Sequence, residues 1–291
     1  MSLVINHNLM AMNAARSLSI SYGRLATSVQ RLSSGLRINS AKDDAAGLAV
    51  REMMRTDIRV LNQGVRNAND DVSMIQTADG ALSVIDEKLT RMKELAEQAA
   101  TGTYTTAQRL IMDSEYQAMA SEITRIATAT DFNGVKLLDG TLSGTAVDGT
   151  QQMKVHFGTG NSSAEDYYYV KIDKATASAL GVGSGAGTGA GSTISTQSAA
   201  QVALAAIDSA IATKDNIRAN LGALANRLTN TVSVLSIQAE NLQAAESRVS
   251  DVDVAVEMTE FTRNQILTQA AVSMLAQANA LPQLALQLIG G

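Results

Sequence analysis

The sequence predicts a mainly α fold, in which the N- and C-terminal segments form a long, coiled-coil-like helical bundle and the middle of the chain adds a small β-hairpin region. The 291 residues include a single proline, Pro282, so long stretches contain no helix breaker. Only six Tyr and three Phe are aromatic, so the apolar residues are mainly aliphatic and suit helix–helix seams. Apolar residues also recur at alternating spacings of three and four, the pattern of a helix with one buried face.

The N-terminal half carries three such apolar stripes, which predict three helices with breaks near residues 35–47 and near Gly102. The first stripe consists of Leu18, Tyr22, Leu25, Val29, Leu32 and Leu36. The second consists of Ile58, Leu61, Val65, Ala68, Val72, Ile75, Ala78, Leu82, Ile85, Leu89, Met92 and Ala96. The third, predicted to return antiparallel after Gly102, consists of Met112, Tyr116, Met119, Ile123 and Ile126.

The C-terminal third carries two more stripes. One consists of Leu221, Leu224, Leu228, Thr231, Leu235, Gln238, Leu242, Ala245, Val249, Val252 and Val256. The other consists of Leu267, Ala271, Met274, Ala278, Leu281, Ala285 and Leu288. These seams predict an extended bundle, since ordinary core-facing helices would explain only one or two of them.

The two ends of the chain, about residues 3–36 and 255–288, each present an apolar stripe that an isolated helix cannot bury. The ends could pair within one molecule, but a single pair would still leave apolar surface exposed. We therefore expect them to become ordered when other subunits cover them. The residues predicted to drive this polymerisation are Leu18, Leu25, Val29, Leu32, Leu267, Met274, Leu281 and Leu288.

The middle of the chain, about residues 131–200, is irregular, glycine-rich and strand-like. Turn dipeptides occur at Asn133-Gly134, Asp139-Gly140 and Asp148-Gly149. Alternating apolar residues at 153–157 and a second strand-like run at 167–172 predict a β-hairpin. Residues 181–191 place glycine at every second position, and we interpret them as a flexible surface loop rather than a strand.

Composition argues against several classes of protein. The net charge of −5, without a basic run, disfavours nucleic-acid binding, and the absence of cysteine excludes disulfides and thiolate sites. The start of the chain does not resemble a secretory signal peptide, and no apolar run approaches the roughly 18 residues of a membrane span. Because no metal cluster, phosphate loop or nucleophile–base pair is visible, we predict no catalytic, cofactor or metal site and no enzyme.

The remaining polar features have structural interpretations. Adjacent Asp43 and Asp44 would point in different directions on a helix, so we interpret residues 40–47 as a connection with Ser40 or Asp43 as the N-cap. His7 and His156 have no ligand-type cluster around them in the sequence. Asn161 begins a glycosylation sequon, which we interpret as a hydrophilic loop, and whether Ser and Thr carry sugars is left open.

Several strings in this sequence resemble those of bacterial flagellins. The most specific are RLSSGLRINSAKDDAAG at 31–47, DFNGVKLL at 131–138 and NLQAAESRVSDVD at 241–253. Further matches lie at 66–70, 76–82, 91–96 and 265–283 and in the closing LIGG. The resemblance covers roughly residues 1–140 and 200–291, with the motifs in the family's order.

The resemblance implies a division into domains named D0 and D1. In these terms the segments are 1–44, the N-terminal helix of D0; 45–140, the N-terminal helices of D1; 141–200, the β-hairpin and Gly-rich variable segment; 201–252, the C-terminal helix of D1; and 253–291, the C-terminal helix of D0. The larger outer domains of some flagellins are expected to be absent, because the middle of this chain has only about 60 residues.

The resemblance also implies a role and partners. Flagellins polymerise into the flagellar filament for motility and leave the cell unfolded through the flagellar type III export apparatus, without a cleaved signal peptide. The implied partners are further copies of the chain, hook-associated and cap proteins and an export chaperone. The implied location is extracellular, in the bacterial flagellum.

The vertebrate Toll-like receptor 5 (TLR5) detects flagellins of the common type through a face of the D1 helices. The positions here that resemble its motif are Arg91, Leu95, Gln98 and Glu115. The first three lie at i, i+4 and i+7, which predicts one shared helical face. The alternative is that this face serves subunit packing, and both can hold.

Two rival functions remain at this point. A hook-associated junction protein shares the terminal helices, although the long motif matches favour a filament subunit. A secreted, membrane-active helical protein could use residues 267–288 as an amphipathic anchor. That segment has no Lys or Arg after Arg263, which disfavours attraction to anionic lipids.

Overall fold

The computed structural model describes residues 8–144, 152–163, 165–184 and 191–289, and in the last helix it describes side chains as far as residue 280. The helices are α1 (Leu9–Ser34), α2 (Ala45–Ala100), α3 (Thr106–Ala129), α4 (Ala177–Leu180), α5 (Gln197–Ser250) and α6 (Val254–Ile289). The strands form two antiparallel pairs, β1 (Asp131–Phe132) with β2 (Val135–Lys136) and β3 (Met153–His156) with β4 (Tyr167–Val170). The predicted mainly α fold with a small β-hairpin region is confirmed.

The chain divides into two compact units. Unit 1 comprises Met1–Ile58 and Glu240–Gly291, and unit 2 comprises Arg59–Ala239. The long helices α2 and α5 each contribute residues to both units, because the division falls inside them. The assignment of residues to D0 and D1 stays a prediction.

The core of unit 2 follows the second predicted stripe. Along α2 the buried members of this stripe are Leu61, Ala68, Ile75, Ala78, Leu82, Ile85, Leu89, Met92 and Ala96. Its other two members within unit 2, Val65 and Val72, are half-buried. The spacing in the sequence therefore identified the face of α2 that packs into this core.

Two sets of hydrogen bonds stabilise the turn between α2 and α3. Thr105 caps α3 in a capping box with Gln108, in which each side chain bonds the other residue's backbone N–H. Arg109 is buried and donates hydrogen bonds of 2.8 Å to the carbonyl oxygens of Ala99 and Thr101, at the carboxyl end of α2. Tyr116 of the third predicted stripe is buried about two turns further along α3.

Helix α5 runs antiparallel to α2 in unit 2, as their ion pairs show. Lys93 of α2 pairs with Asp208 of α5 at 2.6 Å, and Asp79, earlier in α2, pairs with Arg218, later in α5, also at 2.6 Å. The two helices therefore run in opposite directions. Between them, Lys214 bonds the carboxylates of Asp86 and Asp215 with a side chain that is only 3% exposed. Burial alone would lower the pKa of Lys214, but its hydrogen bonds to the two carboxylates outweigh burial and raise the pKa.

The β3–β4 hairpin packs on the helices of unit 2 through one face. Val155 and Val170 on that face are buried, and Arg227 of α5 lies over the ring of Tyr168 at 3.6 Å. Helix α2 approaches the hairpin so closely at Gly64 that an added Cβ would collide with the carbonyl oxygen of Phe157. The alternation predicted for residues 153–157 is thus confirmed, and it places the apolar side chains inward.

The prediction of a surface loop at residues 181–191 was wrong for the part that the structure describes. Val182 is fully buried, and a Cβ on Gly183 would collide with Ala120 of α3. The hydroxyl of Tyr116 donates to the carbonyl of Gly191 at 2.7 Å. The glycines at this end are needed for close packing on α3, and residues 185–190 lie outside the described part of the chain.

Candidate assembly surface

The connection between α1 and α2 is where the motif at residues 31–47 lies. Gly35 ends α1 in a left-handed conformation, with φ of 71°, which glycine adopts without a steric penalty. The next residues then pair with the end of α5: Leu36 forms a bridge with Asp251, and the N–H of Arg37 donates to the carbonyl of Ser250 at 2.7 Å. The motif therefore ties α1 to the opposite end of the chain.

Asp44, rather than Ser40 or Asp43, is the N-cap residue of α2. Its carboxylate accepts a hydrogen bond of 2.8 Å from the N–H of Gly47. Asp43 instead accepts bonds from the side chain and N–H of Ser40, both at 3.0 Å. The bond from the Ser40 hydroxyl is the main cause that lowers the pKa of Asp43. The N-cap prediction was wrong because adjacent carboxylates both suit this turn, and spacing alone does not separate them.

Helices α1 and α6 pack against each other along a seam whose fully buried residues are small or polar and whose larger apolar residues are only half-buried. On α1 the buried or half-buried positions at seam spacing are Ala11, Ala14, Leu18, Ser21, Leu25, Ser28 and Leu32. On α6 they are Glu257, Phe261, Asn264, Thr268, Ala271, Leu275 and Ala278. Small residues let two helices approach closely, but they bury little apolar area when they do so.

Polar contacts fix the register of this helix pair. Asn8 caps α1, and its side-chain amide also donates to the carbonyl of Ala278 at 2.7 Å. At the other end, a guanidinium nitrogen of Arg31 lies 3.5 Å from the carboxylate of Glu257, whose side chain is 10% exposed. The Nε of Arg31 is buried without a hydrogen-bond partner in the described residues. Such contacts specify one alignment and add little net stability.

The large apolar side chains of unit 1 lie mostly on its outer surface. Those exposed on α1 are Leu9, Met10, Met12, Ile20, Tyr22 and Val29. Those exposed on α6 are Val254, Val256, Met258, Ile266, Leu267, Val272 and Met274. We call these thirteen residues the outer apolar face. So many large apolar side chains exposed on two helices mark a candidate interaction site.

The residues predicted to drive polymerisation fall into three groups. Leu18, Leu25 and Leu32 are half-buried in the α1–α6 seam. Val29, Leu267 and Met274 belong to the outer apolar face, with exposed fractions of 49%, 44% and 62%. The side chains of Leu281 and Leu288 lie outside the described residues. Two members of the predicted α6 stripe, Leu267 and Met274, are thus exposed, because the buried positions of α6 run through Asn264 and Thr268 instead.

An open groove of about 540 Å³ runs between the two helices on the outside of the pair. Its lining includes the small residues Ala14, Ser21 and Ala271 and the flexible side chains of Met10 and Met274. A groove lined by small side chains and methionines can accept an apolar ridge from another helix.

The predicted receptor face in unit 2 is brought together only in part. Arg91 of α2 bonds Glu115 of α3 at 2.9 Å and Glu94 at 2.9 Å, and its side chain is 49% exposed. These hydrogen bonds, to Glu94 first and then to Glu115, raise the pKa of Arg91. Gln98 is exposed and donates to the hydroxyl of Tyr104 at 2.9 Å. Leu95, by contrast, is 2% exposed, so it supports this face from within.

Asp71 of α2 is a buried acid that the sequence did not predict. It is 7% exposed and makes no hydrogen bond or ion pair within the described residues. Burial, with a smaller contribution from the neighbouring charge of Asp70, raises its pKa to about 6. The signal that could have revealed it is its position: Asp71 lies three residues after Ala68 and four before Ile75, close to the buried stripe.

Among the described residues, no group of three or more His, Asp or Glu side chains could hold a metal ion. No described helix is long and apolar enough to cross a membrane. The outer apolar face of unit 1 is therefore the most prominent candidate site in the described part of the chain.

Comparison with known proteins shows matches along most of the sequence. The bacterial flagellin N-terminal helical region matches residues 5–143, and the bacterial flagellin C-terminal helical region matches residues 204–289. A flagellin from Halalkalibacterium halodurans is 44% identical over 287 residues, which cover 99% of this chain and 100% of the relative. The flagellar filament 30.7 kDa core protein of Treponema maltophilum is 40% identical over 288 residues, covering 99% and 100%.

Solved structures are similar in fold as well. A proposed flagellar hook-associated protein from Vibrio parahaemolyticus has a TM-score of 0.56 at 17% identity, covering 72% of this chain and 100% of that one. At this identity the likeness concerns the fold alone, so it does not favour a junction protein. The matched flagellin regions contain α1, the connection at residues 31–47 and all of α6. On these matches and on the two full-length relatives, the chain belongs to the bacterial flagellin family.

Proposed function

We propose that this chain is the structural subunit of a flagellar filament and that the outer apolar face of unit 1 drives its polymerisation. One observation carries the proposal: within the described residues, the fully buried side chains of the α1–α6 pair are small or polar, its seam leucines are only half-buried, and thirteen large apolar side chains are exposed. Burial of apolar surface stabilises by about 25 cal/mol per Å², so covering this face with further subunits releases free energy that the single chain cannot obtain.

The contacts that cover the face are expected to be heterologous, since an open filament grows only when one surface binds a different surface on the next subunit. We further propose that unit 1 contains D0, that the long helices of unit 2 belong to D1 and that the chain is exported through the flagellar type III apparatus. Its proposed partners besides itself are the export chaperone and the hook-associated and cap proteins. These proposals rest on membership of the family.

Seeded assembly tests the proposed function. Purified full-length chain is mixed with filament fragments and inspected by negative-stain electron microscopy, beside a variant that lacks residues 275–291. We expect long filaments from the full chain and soluble monomers from the truncated one, because the truncation removes part of α6 and the segment after it. A full-length chain that does not elongate seeds would instead indicate a junction protein, and filaments from the truncated chain would contradict the assigned role of α6.

A second proposed function is recognition of the free subunit by TLR5. The supporting observation is the exposed Arg91–Glu115 pair, which joins α2 to α3 beside the exposed Gln98. We propose that Arg91, Glu115 and Gln98 contact the receptor, while Leu95 holds the helix that presents them.

A reporter assay for TLR5 with purified monomers tests this. We expect Arg91→Ala combined with Gln98→Ala to weaken activation while the thermal unfolding midpoint stays close to that of the original chain. Leu95→Ala should lower that midpoint as well, because the side chain is buried. Full receptor activation by the Arg91–Gln98 double variant would refute the proposal.

A further inference from the structure

The short β1–β2 hairpin contains the only Asn-Gly dipeptide of the sequence, Asn133-Gly134. Both residues have positive φ, 51° for Asn133 and 81° for Gly134. This is the geometry of a two-residue hairpin turn with a type I′ backbone, for which Asn-Gly is strongly preferred. The turn is exposed, and the chain that follows it becomes fully buried at Leu137 and Leu138.

An Asn-Gly pair is chemically labile. The backbone nitrogen of the glycine can attack the side-chain amide carbon of the asparagine, forming a five-membered succinimide and expelling ammonia. Water then opens the ring at either carbonyl, which gives aspartate or isoaspartate. The reaction needs no partner except water, and glycine favours it because no Cβ shields its nitrogen.

In this hairpin the attacking nitrogen is already engaged. The N–H of Gly134 donates to a carboxylate oxygen of Asp131 at 3.1 Å. Ring closure requires that this nitrogen lose its proton and turn towards Asn133. A hydrogen bond to an ionised acceptor opposes both steps, since charge-assisted bonds are stronger than neutral ones and a nearby negative charge disfavours loss of the proton.

We propose that Asn133 is a site of spontaneous deamidation and that Asp131 protects it while the hairpin is folded. Opening of the hairpin removes the protection. Isoaspartate would then lengthen the main chain by one atom inside the turn, and either product would add a negative charge close to Asp131. Both changes oppose the pairing of Asp131 with Lys136 that closes the hairpin.

Peptide mapping by mass spectrometry, with detection of isoaspartate, tests the proposal on the full chain held in mildly alkaline buffer. Asp131→Ala should speed deamidation of Asn133 by about tenfold, the rate factor that corresponds to ~1.4 kcal/mol of barrier. Asp131→Asn keeps an acceptor oxygen without its charge and should give an intermediate rate. Asp139→Ala removes a carboxylate five residues further along the chain that bonds Thr141 rather than Gly134, and it should leave the rate unchanged.

The same samples in concentrated urea provide the reference, because all four chains should then deamidate at one fast rate. Circular dichroism shows whether each variant is folded, and the Asp131→Asn variant tests the protection even if Asp131→Ala opens the hairpin. The proposal is overturned if the folded original chain reacts as fast as it does in urea. It is equally overturned if both Asp131 variants react as slowly as the original chain.

Discussion

Unit 1 and unit 2 share the long helices α2 and α5, yet they place their apolar side chains in opposite ways. Among the described residues, the only buried hydrophobic side chains of unit 1 are Ile38 and Ala278, whereas unit 2 buries stripes along α2, α3 and α5 and one face of a hairpin. Of the large hydrophobic residues whose side chains the structure describes, fifteen are exposed in unit 1 and eight in unit 2, although unit 2 is the longer.

The two units therefore have different sources of stability. Unit 2 has a core that can hold it folded as a single subunit, because full burial of aliphatic side chains is the main favourable contribution to folding. The described part of unit 1 has little such core, and an isolated helix pair of this kind is marginal in water. Its helices are therefore expected to gain their stability from neighbouring subunits.

The largest expected effect comes from charging the outer apolar face. Leu267→Asp combined with Met274→Asp should abolish seeded filament growth, because two carboxylates would lose water contact in the assembled state. The urea unfolding curve of unit 2 should stay unchanged, since neither residue lies in it. Filament growth is followed by light scattering and electron microscopy.

The matched control is Met274→Leu, which keeps an apolar side chain of similar volume and should preserve growth. Filaments of normal length from the charged double variant would show that this face is not buried on assembly.

The next effect concerns the core of unit 2. Leu89→Ala removes a fully buried side chain from α2 and should lower the free energy of unfolding by about 2–5 kcal/mol. Val84→Ala on the same helix alters an exposed residue and should change it by less than about 0.5 kcal/mol. Both are measured by urea denaturation of the monomer with circular dichroism. Equal losses from the two variants would contradict the described core.

The sequence predicted the two units unequally well, for a physical reason. Along α2 the stripe predicted from spacing is the buried one, because Leu82, Ile85 and Leu89 pack within the same chain. Along α6 the apolar spacing selected Leu267 and Met274, which are exposed, while the seam that faces α1 contains Thr268. Hydrophobic periodicity identifies the face that prefers to leave water, and it does not say whether that face packs within the chain or against another subunit.

Details of the candidate sites were harder to predict. The burial of Leu95 depends on how helices pack around it, and the sequence shows only its spacing from Arg91. Packing of Gly183 on Ala120 depends on a contact between distant segments, which composition cannot reveal. The choice of Asp44 over Asp43 as the N-cap depends on the path of the connection.

A smaller effect is expected from the buried acid of unit 2. Because the pKa of Asp71 is raised to about 6 from its ordinary value of 3.8, the folded chain binds this proton more tightly than the unfolded chain. Its contribution to stability is therefore most favourable below the ordinary value and is lost as pH rises through about 6. Asp71→Asn should remove this loss and stabilise the monomer at neutral pH by about 1–2 kcal/mol, a value reduced because water reaches part of the carboxylate.

Urea denaturation at a series of pH values between 4 and 8 measures this effect. Asp70→Asn is the comparison, since it removes only the minor repulsion between the two neighbours and should stabilise less. If the Asp71→Asn variant is less stable than the original chain at neutral pH, the carboxylate has a favourable partner and the prediction is contradicted.

The smallest expected effect on the monomer comes from shortening an outer residue of unit 1. Met274→Ala should change the free energy of unfolding by less than about 0.5 kcal/mol, because the side chain is 62% exposed. It should nevertheless raise the subunit concentration needed for filament growth, since the lost contacts form only after assembly. A monomer strongly destabilised by this change would place Met274 in an internal core.

Hydrogen–deuterium exchange of the free subunit and of the filament tests the central contrast most directly. In the free subunit we expect amides of α1 and α6 to exchange quickly and those of α2 between residues 61 and 96 to exchange slowly. In the filament both sets should exchange slowly, with the gain confined mainly to α1 and α6. Equal and strong protection of both sets in the free subunit would show that unit 1 is stable alone and would contradict the account.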